Sequence, residues 1–184
     1  LLPGGESQQK RFVSPNFQAT EHYGGATKWM ATVNSSDRLS SLMRRAFYHL
    51  RTGRGAPVLV ETPQEILEFE DIASMPEYSP VYGNRTGPDP RDVRKTAEVL
   101  LKSENLVIHA GQGVNFAEAW EELREFAELI QAPVMTTMQG TGALPESHPL
   151  ALGSSSVATT KPTSHFLQQC DTLFGIGPSL TRTN

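Results

Sequence analysis

The chain has 184 residues, 38% of them hydrophobic and 20% charged, with a formal net charge of −4 and a single cysteine. That is the make-up of a soluble globular protein long enough to bury a core, in one domain or two small ones. The mild acidity, without any block of lysine or arginine, removes the electrostatic footprint that nucleic acid or anionic lipid requires, and lone Cys170 excludes an internal disulfide, a CxxC redox pair and a multi-cysteine zinc site.

Residues 1–35 read as polar and irregular, and are expected to belong to a unit whose remainder lies elsewhere. The opening LLPGGESQQKRF lacks the charged-then-apolar order of a signal peptide, and no apolar run approaches the roughly 20 residues that span a bilayer. A reducing, cytoplasmic compartment is therefore expected. From Ser36 to Arg51, Leu39, Leu42, Met43, Ala46, Phe47 and Leu50 recur at spacings of three and four, which predicts an amphipathic helix. A glycine-containing stop follows over Thr52 to Ala56, and PVLVE (Pro57 to Glu61) has the length and composition of a buried strand ended by Pro63. Residues 64–90 carry prolines at 76, 80, 88 and 90 and little periodicity, which predicts an interdomain connector. At its end Asp89 is placed to cap a helix with Pro90 in its first turn and Val93, Ala97, Leu100 and Leu101 on its apolar face.

Thereafter the predicted order is strand (Asn105 to Ala110), glycine loop, helix (Phe116 to Ile130), strand (Pro133 to Thr137), long loop, helix (Thr163 to Gln169) and strand (Thr172 to Ile176). Alternating strands and helices predict an α/β fold with a parallel sheet. The apolar strand TLFGI is followed almost at once by the last residue, and the chain begins without methionine, so both ends read as cut.

The loop at Gly111, Gln112 and Gly113 joins a strand to a helix, a geometry that can aim free N–H groups at a phosphate. The pattern departs from GxGxxG because Phe116 stands at the third glycine position. The next strand, PVMTT, ends in threonines and lacks the acidic residue that grips a ribose hydroxyl. These departures disfavour an ordinary NAD site and leave two readings open, a nucleotide cradle or a turn that needs glycine for its backbone alone. Other candidates point to structure before chemistry. His109 at a strand end and His148 between two prolines are expected to hold backbone groups, with ligand contact the less common alternative. Glu61 has no partner at a fixed spacing that would tune it as an acid or base. Trp29, in an irregular segment, and Trp120, on a helix, are expected in core or interface. No GxSxG, HExxH, Walker or EF-hand pattern occurs, which removes the sequence support for serine hydrolases, zincins, P-loop NTPases and calcium sensors.

Five strings, taken together and in order, resemble the thiamine-diphosphate-dependent enzymes of the acetolactate synthase, pyruvate oxidase and benzoylformate decarboxylase superfamily. They are TKW (27–29), RRAFYHLRTGRGAPVLVETP (44–63), VIHAGQGV (107–114), AELIQAPVMTTMQGTGALPESHPLALG (127–153) and CDTLFGIGPSLTRT (170–183). The resemblance implies that residues 1–63 close a pyrimidine-binding domain, that 64–90 are its linker, and that 91–184 form a truncated Rossmann-like central domain. It implies thiamine diphosphate and Mg²⁺ in an intact enzyme acting on 2-oxo acids or related carbonyl compounds as a homodimer or homotetramer. The activating glutamate and the GDG motif of that family would lie outside this chain, which alone would be inactive. In flavin-containing members FAD lies over positions that correspond to Gly111, Gln112, Gly113, Val114, Thr136, Thr137, Met138 and Gln139. Two departures weigh against FAD here: SSSVATT replaces a glycine- and histidine-containing stretch, and Thr141 stands where a lysine is common. The rival from another class is a non-catalytic FAD- or ADP-binding module, and a third reading is a structural domain with an empty turn.

Overall fold

The computed structural model describes all residues except 6, 8–9, 11–12, 16, 69–79, 81–85, 156–158 and 181–184. The chain divides into two units, Leu1–Gly87 and Pro88–Asn184. Each is built around its own parallel sheet, as the alternation of strands and helices predicts.

In the first unit the order is β1 (Gly4–Gly5), α1 (Ala19–His22), β2 (Trp29–Thr32), a 3₁₀ turn (Ser36–Arg38), α2 (Leu39–Arg51), β3 (Val58–Pro63) and α3 (Gln64–Leu67). The strands pair in the order β1-β3-β2, so β3 is central. Central position explains its unbroken apolar run: Val58 and Val60 face α2, where Ala46, Leu39, Leu42 and Met43 pack with Val33, while Leu59 is buried as well. Such strands, covered on both faces, read as continuous hydrophobic stretches. The expectation of irregular structure over 1–35 is corrected, since β1, α1 and β2 all lie within it, and Trp29 stands on β2 and packs against the α2 cluster. Their signal was weak because β1 has two residues and β2 four, each stabilised by pairing with β3 and not by its own pattern. Most of the connector expected over 64–90 lies outside the described residues, and α3 is one helical turn at its start.

The second unit runs α4 (Pro90–Leu101), β4 (Leu106–Ala110), α5 (Gln112–Ala117), α6 (Trp120–Ile130), β5 (Val134–Thr136), a 3₁₀ turn (Met138–Gly140), β6 (Ala151–Ser154), α7 (Lys161–Gln169) and β7 (Thr172–Ile176). The strand order is β6-β5-β4-β7, all parallel. Alternation along β4 sorts the two faces. Ile108 and Ala110 pack with Val114, Leu123, Ala127 and Val134 beneath α5 and α6, and Val107 packs with Met135, Leu152 and Leu167 towards α7. The Asp89 cap forms as expected, its carboxylate accepting the Arg91 N–H at 2.9 Å with Pro90 in the first turn. Among the twelve residues of α4 only Leu100 is not exposed. Val93, Ala97 and Leu100 line a crevice of about 600 Å³ whose other walls include Leu123, Phe126 and Phe174.

Two further corrections concern this unit. The helix expected from Phe116 to Ile130 starts earlier and is broken: α5 begins at Gln112, Glu118 turns left-handed with φ 55°, and α6 resumes at Trp120. Phe116 consequently lies 67% exposed. The long loop after Thr137 contains β6, whose register on β5 slips by one residue, with Gly153 at φ +86°. A left-handed residue beside a bulge favours glycine, and a four-residue strand carrying that glycine leaves no alternating signature.

Candidate functional site

The candidate site gathers at the C-terminal ends of β4, β5 and β7, where three glycine-bearing segments meet. Gly111 donates its N–H to the Ile176 carbonyl at 2.8 Å, and Gly113 donates to the Gly177 carbonyl at 3.1 Å. A Cβ on Gly111 would stand 2.4 Å from the Gly177 oxygen and from Pro178, and one on Gly113 would stand 2.7 Å from the Gly177 Cα. Contacts that short leave room for hydrogen only. Gly140 closes the third side, since its Cβ would meet the Ala110 carbonyl oxygen at 2.5 Å. The Thr137 N–H donates to that same oxygen at 2.9 Å.

The predicted threonines are engaged in the same construction. Thr137 is 1% exposed and its hydroxyl accepts the Gly140 N–H at 2.9 Å, capping the 3₁₀ turn. The Thr136 carbonyl accepts from the Ser155 N–H at 2.7 Å and from its hydroxyl at 3.3 Å. Val114 points into the core at 2% exposure, Gln112 is half-buried, and Met138 and Gln139 are exposed at the rim. The structure therefore brings the eight predicted positions to one end of one sheet. Missing from the sequence-based set were Gly177 and Pro178, Ser155 and Asn115. Asn115 donates to the Gln139 carbonyl at 3.2 Å and accepts the Trp120 indole N–H at 2.9 Å. The signal for Gly177 lies in the sequence: GIGP closes a strand as HAGQG does.

His109 lies on the α7 side of β4, 5% exposed, with Nε2 3.1 Å from the Ser155 hydroxyl. Burial pushes its imidazole below the ordinary value of 6.5, because the low-dielectric surroundings disfavour the charged ring. It is thus a neutral histidine held by a hydroxyl. His148 holds loop backbone, its Nδ1 accepting the Leu150 N–H at 3.2 Å while Nε2 lies 3.1 Å from Glu128. With Nδ1 as acceptor, Nε2 carries the proton and donates to the carboxylate.

In the first unit Glu61 is 5% exposed, and its carboxylate accepts from the Ala19 N–H at 2.8 Å, the Thr20 hydroxyl at 3.1 Å and the Thr32 hydroxyl at 3.4 Å. It ties α1 and β2 to β3. Lys28 donates to the His49 and Arg54 carbonyls, each at 2.9 Å, and to that of Thr52. An ammonium at the C-terminus of α2 satisfies carbonyls that the helix leaves open. Among the described residues no group of three or more His, Cys, Asp or Glu could hold a metal ion. No helix among them is long and apolar enough to cross a membrane.

Residues 93–184 match the family model for the thiamine pyrophosphate enzyme central domain. The chain is 36% identical over 156 residues to a probable acetolactate synthase large subunit of Methanocaldococcus jannaschii, a match covering 82% of this chain and 26% of that protein. It is 33% identical over 179 residues to the glyoxylate carboligase of Escherichia coli O157:H7, covering 94% of this chain and 30% of the carboligase. In three dimensions it resembles benzoylformate decarboxylase from Polynucleobacter necessarius with a TM-score of 0.82, at 21% identity, over 100% of this chain and 35% of that one. The chain thus spans between a quarter and a third of the length of these curated relatives.

Proposed function

Since the chain belongs to the thiamine pyrophosphate enzyme family, with the fold of its central domain, we propose that it is a middle portion of a longer thiamine-diphosphate-dependent enzyme. In this reading residues 1–63 close a pyrimidine-binding domain, 64–90 link, and 91–184 form most of the central domain. The intact enzyme makes or breaks a carbon–carbon bond next to the carbonyl of a 2-oxo acid or related compound, as a lyase or transferase. It assembles as a homodimer or homotetramer and works in the cytoplasm.

Thiamine diphosphate, when bound with Mg²⁺, supplies the electron sink for that chemistry. The described residues do not fit the diphosphate–metal group: they offer no metal-binding cluster, and Glu61, their one buried carboxylate, already accepts three hydrogen bonds. We therefore derive no catalytic step through it and assign these residues the work of a scaffold. A non-catalytic nucleotide-binding module is not favoured, because the relatives are carboligases and synthases.

The observation that carries the reading is the match to the acetolactate synthase, which runs through both units. Calorimetry of the full-length protein with thiamine diphosphate and Mg²⁺ tests it, alongside an assay for pyruvate consumption. Saturable cofactor binding by the long protein, with no turnover by the 184-residue chain, is the expected pair of results. Failure of the long protein to bind the cofactor overturns the family activity, and turnover by the short chain overturns the scaffold role.

A further inference from the structure

We infer that the glycine turn is a backbone clasp closed by the chain itself, and that the central unit does not grip a dinucleotide such as FAD through it. The proposed function enters only in the choice of ligand. The clasp is argued from geometry.

A diphosphate cradle needs two things from a strand–glycine–helix turn: N–H groups aimed outward, and glycine faces open to the approaching phosphate. Neither is present. The Gly111 and Gly113 N–H groups are taken by the carbonyls of Ile176 and Gly177, and the Val114 N–H is taken by the carbonyl of Gly111. The faces of Gly111 and Gly113 that lack a side chain meet the backbone of Gly177 and Pro178, within 3 Å of where a Cβ would stand. The GxG spacing thus has a complete explanation without any ligand. Two neighbouring strands of one sheet approach so closely that both turns must be glycine, and Gly177 reciprocates with φ +68° and a would-be Cβ 2.7 Å from Gly113.

Part of the second half of the flavin platform is also engaged within the chain. The Thr137 hydroxyl and the Thr136 carbonyl are both engaged within the chain, and Gly140 lies against the Ala110 carbonyl. Of the eight positions only the side chains of Met138 and Gln139 stand exposed, and neither supplies a positive charge or a fixed donor array for a diphosphate. Helix α5, at six residues, adds little macrodipole.

The test uses the 184-residue chain, titrated with FAD and separately with ADP, and followed by calorimetry and amide NMR. We expect no saturable heat and unmoved Gly111 and Gly113 resonances. In the ligand-free chain, hydrogen exchange at those two amides should be on the order of a hundredfold or more slower than at exposed Gly142. Saturable FAD or ADP binding that shifts both resonances overturns the inference, and so does fast exchange at both amides without ligand. Because thiamine diphosphate binding by the full-length protein is measured separately, loss of the family activity and loss of the clasp give different signatures.

Discussion

At the C-terminal end of β3 a buried carboxylate gathers one backbone N–H and two hydroxyls, whereas at the corresponding end of β4 the backbone of one turn is gathered by the backbone of another. Both arrangements answer the same demand, that buried polar groups find partners where a parallel strand ends. They differ in what they ask of the sequence. Glu61 needs one particular side chain, a carboxylate that can accept several donors at once. The clasp of Gly111 and Gly113 on Gly177 is made by backbone alone and requires that three side chains be absent.

That contrast can be broken first at the clasp. Gly111→Ala places a methyl group 2.4 Å from rigid backbone, so we expect a loss of about 3 kcal/mol in the second unit by chemical denaturation, with the first unit's transition unmoved. Glu61→Gln keeps the volume but turns an NH₂ group towards donors. About 2 kcal/mol should be lost in the first unit, and amide exchange at Ala19 should accelerate. Lys28→Met removes the ammonium from the end of α2 and should cost about 0.5–1 kcal/mol, read as fraying of the last helical turn by NMR.

The smallest effect concerns Asp171, which joins the turns before β4 and β7. The Ser103 hydroxyl, followed by the Glu104 N–H, holds its carboxyl down at about 2, against an ordinary 3.8. Because the folded value is the lower one, this carboxylate stabilises fully above the unfolded pKa, and its contribution fades as pH falls through about 2. An acid titration of Asp171→Asn should show a shallower loss of stability between those two values.

Legibility in the sequence followed the same division. Strands β3, β4 and β7 and helices α2 and α4 were readable, because apolar runs, three-four spacing and the Asp89–Pro90 cap are local signals. Strands β1, β2 and β6 were not, since each owes its existence to a neighbour in the sheet. The break at Glu118 was hidden as well: no glycine marks that left-handed turn. At the candidate site the sequence placed the glycine turn and the threonines at strand ends but could not say what the glycines approach, because Gly177 lies 64 residues beyond Gly113 in the chain. Periodicity carries no information about a contact between two turns.

Helix α4 is anchored by its Asp89 cap and by Leu100, while Val93 and Ala97 border, with Leu100, a crevice of about 600 Å³. A segment seated this lightly should open at a lower free energy than the sheet it borders, read as faster amide exchange along α4 than along β4. Opening of this helical rod is the expected first local event in the second unit. Limited digestion should nick this rod first, leaving a trimmed β-sheet core that still melts as one.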